Sequence, residues 1–418
     1  EDIKEMDGSS SSSSSQQNNN KNHNSSSFEG VASISNNNNN NGAPPPEVMI
    51  SDNLGIDPRT IEIVRVDKQQ ADTTMVDGDA SSNNNKTPPP GFVPMFRGSA
   101  NYIANHRATL AVYHIPGKLL EDSDNFRDLM NDVALTWLLG MKIVLVAGCR
   151  HQIDKRLGDA NRRQLVNGML VTDHDTLRII KEEAGYVRFE VERQLARSLR
   201  MHYGDPSNSM DGNVVSGNFY SAQPFGILDG VDYQFSGFVR RVEADKIKQC
   251  HANRDVCLLS TLGVSPSGEV FNVNSEALAA TVAGALEASK IIFFTNHEVI
   301  LKSNKKFGNQ IQSLRLSDAT NFLKHRGIEM DRRGRVQGMD DNYGGNATAD
   351  MDAVVDRDML LKIGWAKAAL EQNVKRAHIL APTQGALLQE LYTRDGSGTL
   401  VSRDIYEGIR RADVGVWW

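Results

Sequence analysis

Residues 110–147 read LAVYHIPGKLLEDSDNFRDLMNDVALTWLLGMKIVLVA, and this stretch decides the fold class. Two apolar runs, Leu110–Ile115 and Lys142–Ala147, have the composition of buried strands, and Phe126–Leu139 between them has helical spacing. A strand, a helix and a second strand form a parallel unit, because the helix carries the chain back to the end of the sheet where the first strand began. The stretch therefore predicts an α/β fold.

The same alternation continues toward the C-terminus. Further predicted strands are Asp255–Leu259, Lys290–Thr295 and Arg376–Leu380, and further predicted helices are Asp173–Arg200, Ser275–Leu286 and Arg357–Gln372. This order predicts a three-layer α/β/α architecture with a mainly parallel, open sheet. The glycine-broken patch Val214–Val242 is expected to add hairpins at the C-terminal edge of the sheet, and the polar residues 330–352 to form a surface insertion.

Residues 1–90 have a different composition, with a serine run at Ser9–Ser15 and an asparagine run at Asn36–Asn41. So few apolar side chains cannot offset an ordering cost of about 1–2 kcal/mol per residue, which predicts disorder. The short apolar piece Ile61–Val66 is the exception. Apolar spacing then predicts an amphipathic helix over 92–106, which opens a domain spanning 91–412, and residues 413–418 are interpreted as a divergent end.

The overall composition excludes several classes of protein. A net charge of −6 without clustered Lys or Arg gives no nucleic-acid footprint, and no apolar run reaches the roughly 20 residues that cross a bilayer. The three cysteines form no CxxC motif and no histidine has an i, i+4 histidine partner, which predicts a reducing compartment and no metal. We therefore expect neither a nucleic-acid partner nor a membrane partner.

Ligands in an open α/β sheet bind at the carboxyl ends of the strands, so the loops that follow the strands are where a site is expected. These loops are His114–Lys118, Ala147–Arg150, Gly263–Gly268, Thr295–His297 and Pro382–Gly385.

Three long segments carry a family resemblance: VVSGNFYSAQPFGILDGVDY (214–233), LGVSPSGEVFNVNSEALAATVA (262–283) and GALLQELYTRDGSGT (385–399). The chain resembles the N-acetylglutamate synthases of bacteria and plants, from Phe92 to about Ala412. The resemblance implies an amino-acid-kinase domain of carbamate-kinase-like fold, followed by an acetyltransferase domain. It also implies an acyltransferase of arginine biosynthesis that makes N-acetylglutamate from acetyl-CoA and L-glutamate.

The resemblance also indicates that phosphate transfer is lost. Related kinases place a lysine before a glycine pair at the end of the first strand, where this chain has His114, Pro116 and Gly117. A neutral imidazole is a poor substitute for a fixed cation, and proline removes an amide donor. The next glycine-rich turn is reduced to Gly148 and Cys149. We therefore expect no catalytic residue for phosphate transfer in this chain.

Two further positions bear on the kinase chemistry. Asn296 stands where the kinases carry an aspartate, and only Lys362 matches their second lysine. For Lys362 the alternative of a solvated helix lysine stays open.

The resemblance implies a vestigial N-acetylglutamate pocket made of Gly117, Gly148, Asn272, Asn274 and Lys362. Asn272 and Asn274 resemble the asparagines that hold N-acetylglutamate in the kinases, and as alternate strand residues their amides would face one ligand. The alternative is that both asparagines cap turns. Leu170 replaces the arginine that would bind the substrate carboxylate, which weakens such a pocket.

The C-terminal part resembles the arginine-regulated members of the family. A histidine precedes an LLxEL segment and a GxGT turn, and a tyrosine lies on the N-terminal helix. The resemblance implies an allosteric L-arginine site formed by Tyr102, His378, Glu390, Gly396, Gly398 and Thr399. Glu390 can accept a bidentate guanidinium, although a solvated charge is the alternative. A homo-oligomer joined through helix 92–106 is also implied, with intramolecular packing of that helix as its alternative.

The acetyltransferase domain, which would bind acetyl-CoA, is expected to begin after Ala412, and the six residues to Trp418 cannot bury a core. The chain is therefore interpreted as a truncated synthase or as a non-catalytic arginine-binding regulatory protein, with N-acetylglutamate kinase as the remaining alternative. The plant-like resemblance indicates a soluble plastid protein, with the cytoplasm as the other option.

Overall fold

A computed structural model describes residues 56–65, 91–158, 165–203, 212–303, 310–331, 333, 335–337 and 351–404, without the side chains of 202, 203 and 351–355. Most of the segment predicted to be disordered, the centre of the predicted insertion (338–350) and the divergent end 413–418 lie outside these residues. The domain boundaries drawn from the sequence therefore stay predictions.

Helices are numbered along the chain. They are α1 (Phe92–His106), α2 (Ser123–Leu138), α3 (Arg150–Leu157), α4 (His174–Tyr203), α5 (Ala244–Ala252), α6 (Ser275–Ala285), α7 (Leu316–His325), α8 (Met351–Glu371) and α9 (Ala386–Tyr392). Short 3-10 turns occupy Pro58–Thr60 and Gly117–Glu121.

Strands are numbered in the same way. They are β1 (Ile61–Arg65), β2 (Leu110–Ile115), β3 (Lys142–Ala147), β4 (Leu165–Val166), β5 (Met169–Leu170), β6 (Val214–Ser216), β7 (Tyr220–Pro224), β8 (Ile227–Leu228), β9 (Val231–Asp232), β10 (Ser236–Val242), β11 (Val256–Ser260), β12 (Leu262–Val264), β13 (Val270–Val273), β14 (Lys290–Phe294), β15 (Val299–Ser303), β16 (Ser313–Arg315), β17 (Glu329–Met330), β18 (Val336–Gln337), β19 (Arg376–Leu380) and β20 (Thr399–Ser402).

The central sheet has eight strands in the order β16-β20-β19-β14-β2-β3-β11-β6 among the described residues. The strand pairs are parallel except for β19 with β20, which confirms the mainly parallel sheet predicted from the sequence. Alternate residues of one strand enter different cores: Phe293 belongs to one buried cluster, and Phe294 to the other. Helices α6, α7 and α8 cover the first face and α2, α4 and α9 the second, which gives the expected three layers.

The hairpins predicted for Val214–Val242 are present, since β7 pairs antiparallel with β10 and β8 with β9, but their predicted place at the edge of the central sheet was wrong. β6 is an ordinary edge strand, parallel to β11, whereas β7 and β10 leave the sheet and close a small barrel with β12 and β13. Glycine permits this closure, because a Cβ on Gly263 would lie 2.5 Å from the Cβ of Ala222. The sequence pattern missed the barrel because half of its strands lie later in the chain.

The apolar piece near Ile61 is ordered, as its composition suggested. β1 pairs antiparallel with β15, and Ile61 is only 2% exposed. The backbone amide of Ile56 donates a hydrogen bond to the Asp318 carboxylate at 3.1 Å, which anchors the start of this arm. A segment that follows a low-complexity stretch is thus attached to the domain through backbone pairing.

Helix α1 occupies the range expected for the N-terminal helix. Its last residue, His106, is buried, and its Nε2 lies 2.8 Å from the carbonyl oxygen of Leu391 on α9. At the other end, Phe92, Met95 and Phe96 are 64%, 57% and 52% exposed. Intramolecular packing therefore holds for the C-terminal end of α1, while the apolar side chains at its beginning are exposed in the part of the chain that the structure describes.

Candidate functional site

The carboxyl end of β2 meets the N-terminus of α6 and the middle of α8 in a buried polar group, here called the ionic cluster: His114, Glu276, Asp358 and Lys362. The Lys362 ammonium is 0% exposed, lies 2.7 Å from Glu276 Oε1, and lies 3.5 Å from His114 Nδ1. The interpretation of Lys362 as a solvated helix lysine is therefore wrong. It is the buried counter-ion of Glu276.

Local sequence explains how each member reaches the cluster. The Asn274 side chain caps α6 by accepting a hydrogen bond from the Ala277 amide at 2.8 Å, so Glu276 falls in the first helical turn. A carboxylate there is stabilised by the positive end of the helix dipole. Asp358 and Lys362 are four residues apart on α8, with 4.0 Å between their charged atoms. The sequence reasoning missed Glu276 and Asp358, although an acidic residue after a capping asparagine and an i, i+4 acid–lysine pair were visible signals.

The protonation states follow from burial and from Lys362. Burial lowers the pKa of His114 to about 3, and the charge of Lys362 adds to this effect, so the imidazole is neutral at pH 7. Burial acts to raise the pKa of Glu276, but Lys362 and His114 outweigh it and hold that pKa well below its usual range. For Asp358 burial prevails over the attraction of Lys362, and its pKa is raised.

Asn296 completes this arrangement on the loop after β14. Its backbone amide donates to one Asp358 carboxylate oxygen at 2.6 Å, and its side-chain amide donates to the other, also at 2.6 Å. A second carboxylate at position 296 would face Asp358 and repel it. An asparagine at position 296 therefore satisfies both oxygens of Asp358 without adding a second negative charge.

Glycines at the strand ends let this network pack tightly. A Cβ on Gly117 would lie 2.6 Å from the carbonyl oxygen of Gly148, and a Cβ on Gly148 would lie 2.8 Å from Ser275 Oγ. Ser275 Oγ in turn lies 2.9 Å from His114 Nε2. The two glycines thus bring protein groups together at the place where the family resemblance implies a ligand.

The two asparagines of the expected N-acetylglutamate pocket do not share one strand face. Asn272 lies in β13 and donates from Nδ2 to Thr172 Oγ1 at 3.1 Å. Asn274 follows the strand and caps α6, so the capping alternative is correct for this residue. The amide oxygen of Asn274 is used by the first turn of α6, and a role of this residue in the N-acetylglutamate pocket stays a prediction. Leu170, in β5, is buried at 5% exposure.

A cleft of about 680 Å³ lies beside the cluster, on the loops after β2 and β14. It is lined by Arg65, Lys118, Leu119, Glu121, Asp122, Ser123, Asn125, Asn296, His297, Glu298 and Pro382. Lys118 Nζ lies 3.3 Å from the ring nitrogens of His297, and burial followed by Lys118 lowers the pKa of His297 to about 4. The lining therefore contains two cations, Arg65 and Lys118, and three carboxylates, those of Glu121, Asp122 and Glu298. This excess of negative charge does not favour the binding of a polyphosphate.

Low pH is expected to destabilise the domain through His114. The folded pKa of about 3 lies below the usual 6.5, so the unfolded chain binds more protons between these values. The contribution to stability is complete above about pH 6.5 and falls by up to about 1.4 kcal/mol per pH unit as the pH drops. Urea unfolding at pH 7, 6 and 5 measures this slope.

Two histidine variants test the cause of that slope. His114→Gln should make it shallower, whereas His174→Gln should leave it unchanged, because the His174 side chain is 87% exposed. Equal slopes in the wild type and in His114→Gln would contradict the assignment.

A second polar group surrounds Glu390 on α9. Glu390 is 2% exposed, so the interpretation as a solvated charge is wrong. Its Oε1 lies 2.6 Å from Nδ1 of His378 on β19, and its Oε2 accepts from the amides of Ser397 at 2.8 Å and Gly398 at 3.0 Å. One carboxylate thus joins a strand, a helix and the turn before β20.

The other predicted residues of this group lie around the same turn. Gly396 has φ +66°, and a Cβ on Gly398 would lie 2.3 Å from the carbonyl oxygen of Ile379, so both positions need glycine. Thr399 is buried and donates to the Ile311 carbonyl at 2.7 Å. Tyr102 is half-buried on α1, which packs against α9, and it contacts the same apolar core as residues of α9. The structure therefore brings His378, Glu390 and Gly398 together and places Tyr102 on the neighbouring helix.

Within the described part of the chain, no group of three or more His, Cys, Asp or Glu side chains is placed to hold a metal ion. None of the described helices combines the length and the apolar character needed to cross a bilayer.

A mainly parallel sheet between two helical layers, with close glycine turns at its strand ends, defines a three-layer α/β/α domain whose sites lie at the carboxyl ends of the strands. The chain belongs to the amino acid kinase family, which matches residues 109–381.

The relatives of the chain confirm the resemblance seen in the sequence. It is 35% identical to an amino-acid acetyltransferase of Shewanella oneidensis over 77% of this chain and 66% of the relative. An amino-acid acetyltransferase of Ralstonia nicotianae is also 35% identical, over 78% of this chain and 65% of the relative. The chain thus spans just under two thirds of the length of these acyltransferases.

Solved structures agree. N-acetylglutamate synthase from Neisseria gonorrhoeae, complexed with coenzyme A and N-acetyl-glutamate, has a TM-score of 0.59 and 30% identity, covering 78% of this chain and 67% of that one. The same enzyme complexed with coenzyme A and L-arginine has a TM-score of 0.59 and 29% identity, covering 75% and 66%.

Proposed function

We propose that this domain is the arginine-sensing, kinase-like part of an N-acetylglutamate synthase. The whole enzyme would transfer an acetyl group from acetyl-CoA to L-glutamate, the first step of arginine biosynthesis, with acetyl transfer outside residues 109–381. The buried Glu390 carboxylate is the observation that carries the sensing role. The relatives named above are bacterial, so the plastid location stays a prediction.

The geometry around Glu390 supports a guanidinium ligand. His378 and the Ser397 and Gly398 amides hold the carboxylate in one orientation, so little side-chain entropy remains to be lost on binding. An arginine guanidinium offers up to five N–H donors in a planar fork, and it would share the carboxylate with the Ser397 and Gly398 amides or displace His378 from Oε1. Gly396 and Gly398 allow the backbone of the turn to approach such a ligand closely.

The position of α1 supports a route by which the effector acts. Tyr102 and His106 lie on α1, and His106 is bonded to Leu391 on the same helix as Glu390. A ligand between α1 and α9 would therefore set the orientation of α1. The exposed Phe92, Met95 and Phe96 at its other end suit packing against a second copy of the chain, which gives a homo-oligomer that arginine regulates.

The ionic cluster supports the loss of phosphate transfer. Lys362 is neutralised by Glu276 at 2.7 Å, and His114 is neutral, so the cluster supplies no surplus positive charge for a moving phosphoryl group. N-acetylglutamate kinase activity is therefore not proposed.

We expect saturating L-arginine to raise the melting temperature of the protein. A ligand at one hundred times its Kd adds about 2.7 kcal/mol of stability, which corresponds to a rise of several degrees for a domain of this size. Scanning fluorimetry measures the shift. L-citrulline is the matched ligand control, because its side chain has a similar shape and lacks the charge.

Two glutamate variants locate the site. Glu390→Gln should abolish the L-arginine shift, whereas Glu371→Gln, at an exposed ion pair on α8, should preserve it. An equal shift with L-citrulline, or an unchanged shift in Glu390→Gln, would count against arginine binding at Glu390.

A further inference from the structure

Two of the three cysteines lie at the interface between α5 and the central sheet. Cys250 is half-buried on α5, and Cys257 is fully buried on β11, where it pairs with Val144 of β3 and Val215 of β6. Neither forms a disulfide in the structure, and neither takes part in the ionic cluster or in the group around Glu390.

Three observations place Cys250 and Cys257 at the same interface between α5 and β11. Cys257 Sγ lies 4.0 Å from the carbonyl oxygen of Ile247, which precedes Cys250 by three residues and therefore lies on the same face of α5. Cys250 packs against the apolar core cluster that contains both Ile247 and Cys257. The backbone amide of Asp255 donates to the Cys250 carbonyl at 2.9 Å, so the chain turns back sharply between the two cysteines.

We propose that Cys250 and Cys257 are a modification site: they form a reversible intramolecular disulfide that ties α5 to β11. The bond would close a short ring in the chain and remove conformations from the unfolded state. It would also hold helix α5 against strand β11. Thr261 directly follows β11, and its hydroxyl lies 3.3 Å from Cys149 Sγ.

The chemistry requires a small-molecule disulfide as oxidant, for which oxidised glutathione serves. Cys250 is the more accessible thiol, and its thiolate attacks one glutathione sulfur, which forms a mixed disulfide and releases one reduced glutathione. Cys257 then loses its proton and attacks the Cys250 sulfur, and the second reduced glutathione leaves. The protein loses two hydrogens and two electrons, and one oxidised glutathione becomes two reduced molecules. Burial, followed by the neighbouring Cys250, raises the pKa of Cys257, so it acts second rather than first.

The test uses the full chain treated with oxidised glutathione, then denatured and alkylated. The expected product has one alkylated thiol where the untreated protein has three, and dithiothreitol restores all three. Trypsin cleaves after Arg254, between the two cysteines, so the disulfide should join the peptide 249–254 to the peptide that begins at Asp255. Mass spectrometry identifies the linked pair.

Matched variants separate this bond from other thiol chemistry. Cys149→Ala should still form the link, whereas Cys250→Ser, a change at a half-buried position, should leave its remaining thiols available for alkylation. Circular dichroism verifies that both variants are folded. The proposal is overturned if the treated wild type keeps three alkylated thiols, carries a stable glutathione adduct on Cys250, or forms only disulfide-linked dimers. This outcome is independent of the arginine experiment.

Discussion

Lys362→Ala is expected to lower the free energy of unfolding by about 3–5 kcal/mol, because it leaves the Glu276 carboxylate in the interior without its counter-ion. The side chain of Lys362 is 0% exposed and that of Glu276 is 21% exposed, so water compensates little for the loss. Urea denaturation at pH 7 measures the change.

The same helix supplies the control. Lys367 pairs with Glu371 at 2.7 Å, the same distance as the Lys362 pair, but its partner is 44% exposed. Lys367→Ala should cost less than about 1 kcal/mol, as surface ion pairs do. Equal costs for the two lysines would show that burial does not govern the Lys362 pair.

A double variant tests the cause more directly. Lys362→Met together with Glu276→Gln removes both charges and keeps similar volumes, so it should recover most of the stability lost in Lys362→Ala. A double variant as unstable as the single one would indicate that packing, rather than an uncompensated charge, explains the loss.

Glu390→Ala is expected to have an effect of similar size, a loss of about 3–5 kcal/mol. The alanine removes the acceptor of the Ser397 amide, the Gly398 amide and His378. Buried donors without an acceptor destabilise the folded state by the full free energy of their desolvation. Urea denaturation measures this loss as well, and Glu371→Ala on the exposed face of α8 serves as the reference, with a cost below about 1 kcal/mol.

The isosteric variant Glu390→Gln distinguishes the contribution of the hydrogen bonds to stability from the contribution of the negative charge. Glu390→Gln keeps an oxygen for the two amides and should lose clearly less stability than Glu390→Ala. If the alanine and glutamine variants were equally unstable, the hydrogen bonds to the turn before β20 would not be the source of the stability.

The arrangement of strands and helices could be predicted because it follows from local patterns. The strands Leu110–Ile115, Lys142–Ala147 and Arg376–Leu380 were predicted with the bounds that the structure has. Strands that are buried on both faces must be apolar throughout, so a continuous run of this kind is visible without knowledge of any partner. Glu390 was also recognisable, since it lies in the segment 385–399 that resembles a family, and His378 precedes that segment by seven residues.

The environment of each polar side chain could not be predicted in this way. Lys362 and Glu390 are a lysine and a glutamate on helices, and their sequence neighbours do not reveal that strands and loops from elsewhere bury them. Glu276 lies 86 positions from Lys362 in the chain, so their contact is invisible to any local pattern. The barrel formed by β7, β10, β12 and β13 was missed for the same reason.

The amino-acid sequence alone determined the layered α/β class, the extent of α1 and the resemblance to the N-acetylglutamate synthases, because apolar periodicity and long motifs are local properties. Only the tertiary structure decided that Lys362 forms a buried ion pair with Glu276, that Asn274 is a helix cap, and that Glu390 orders the turn around Gly398. Burial and charge pairing arise from contacts between distant segments, and those contacts exist only in the folded chain.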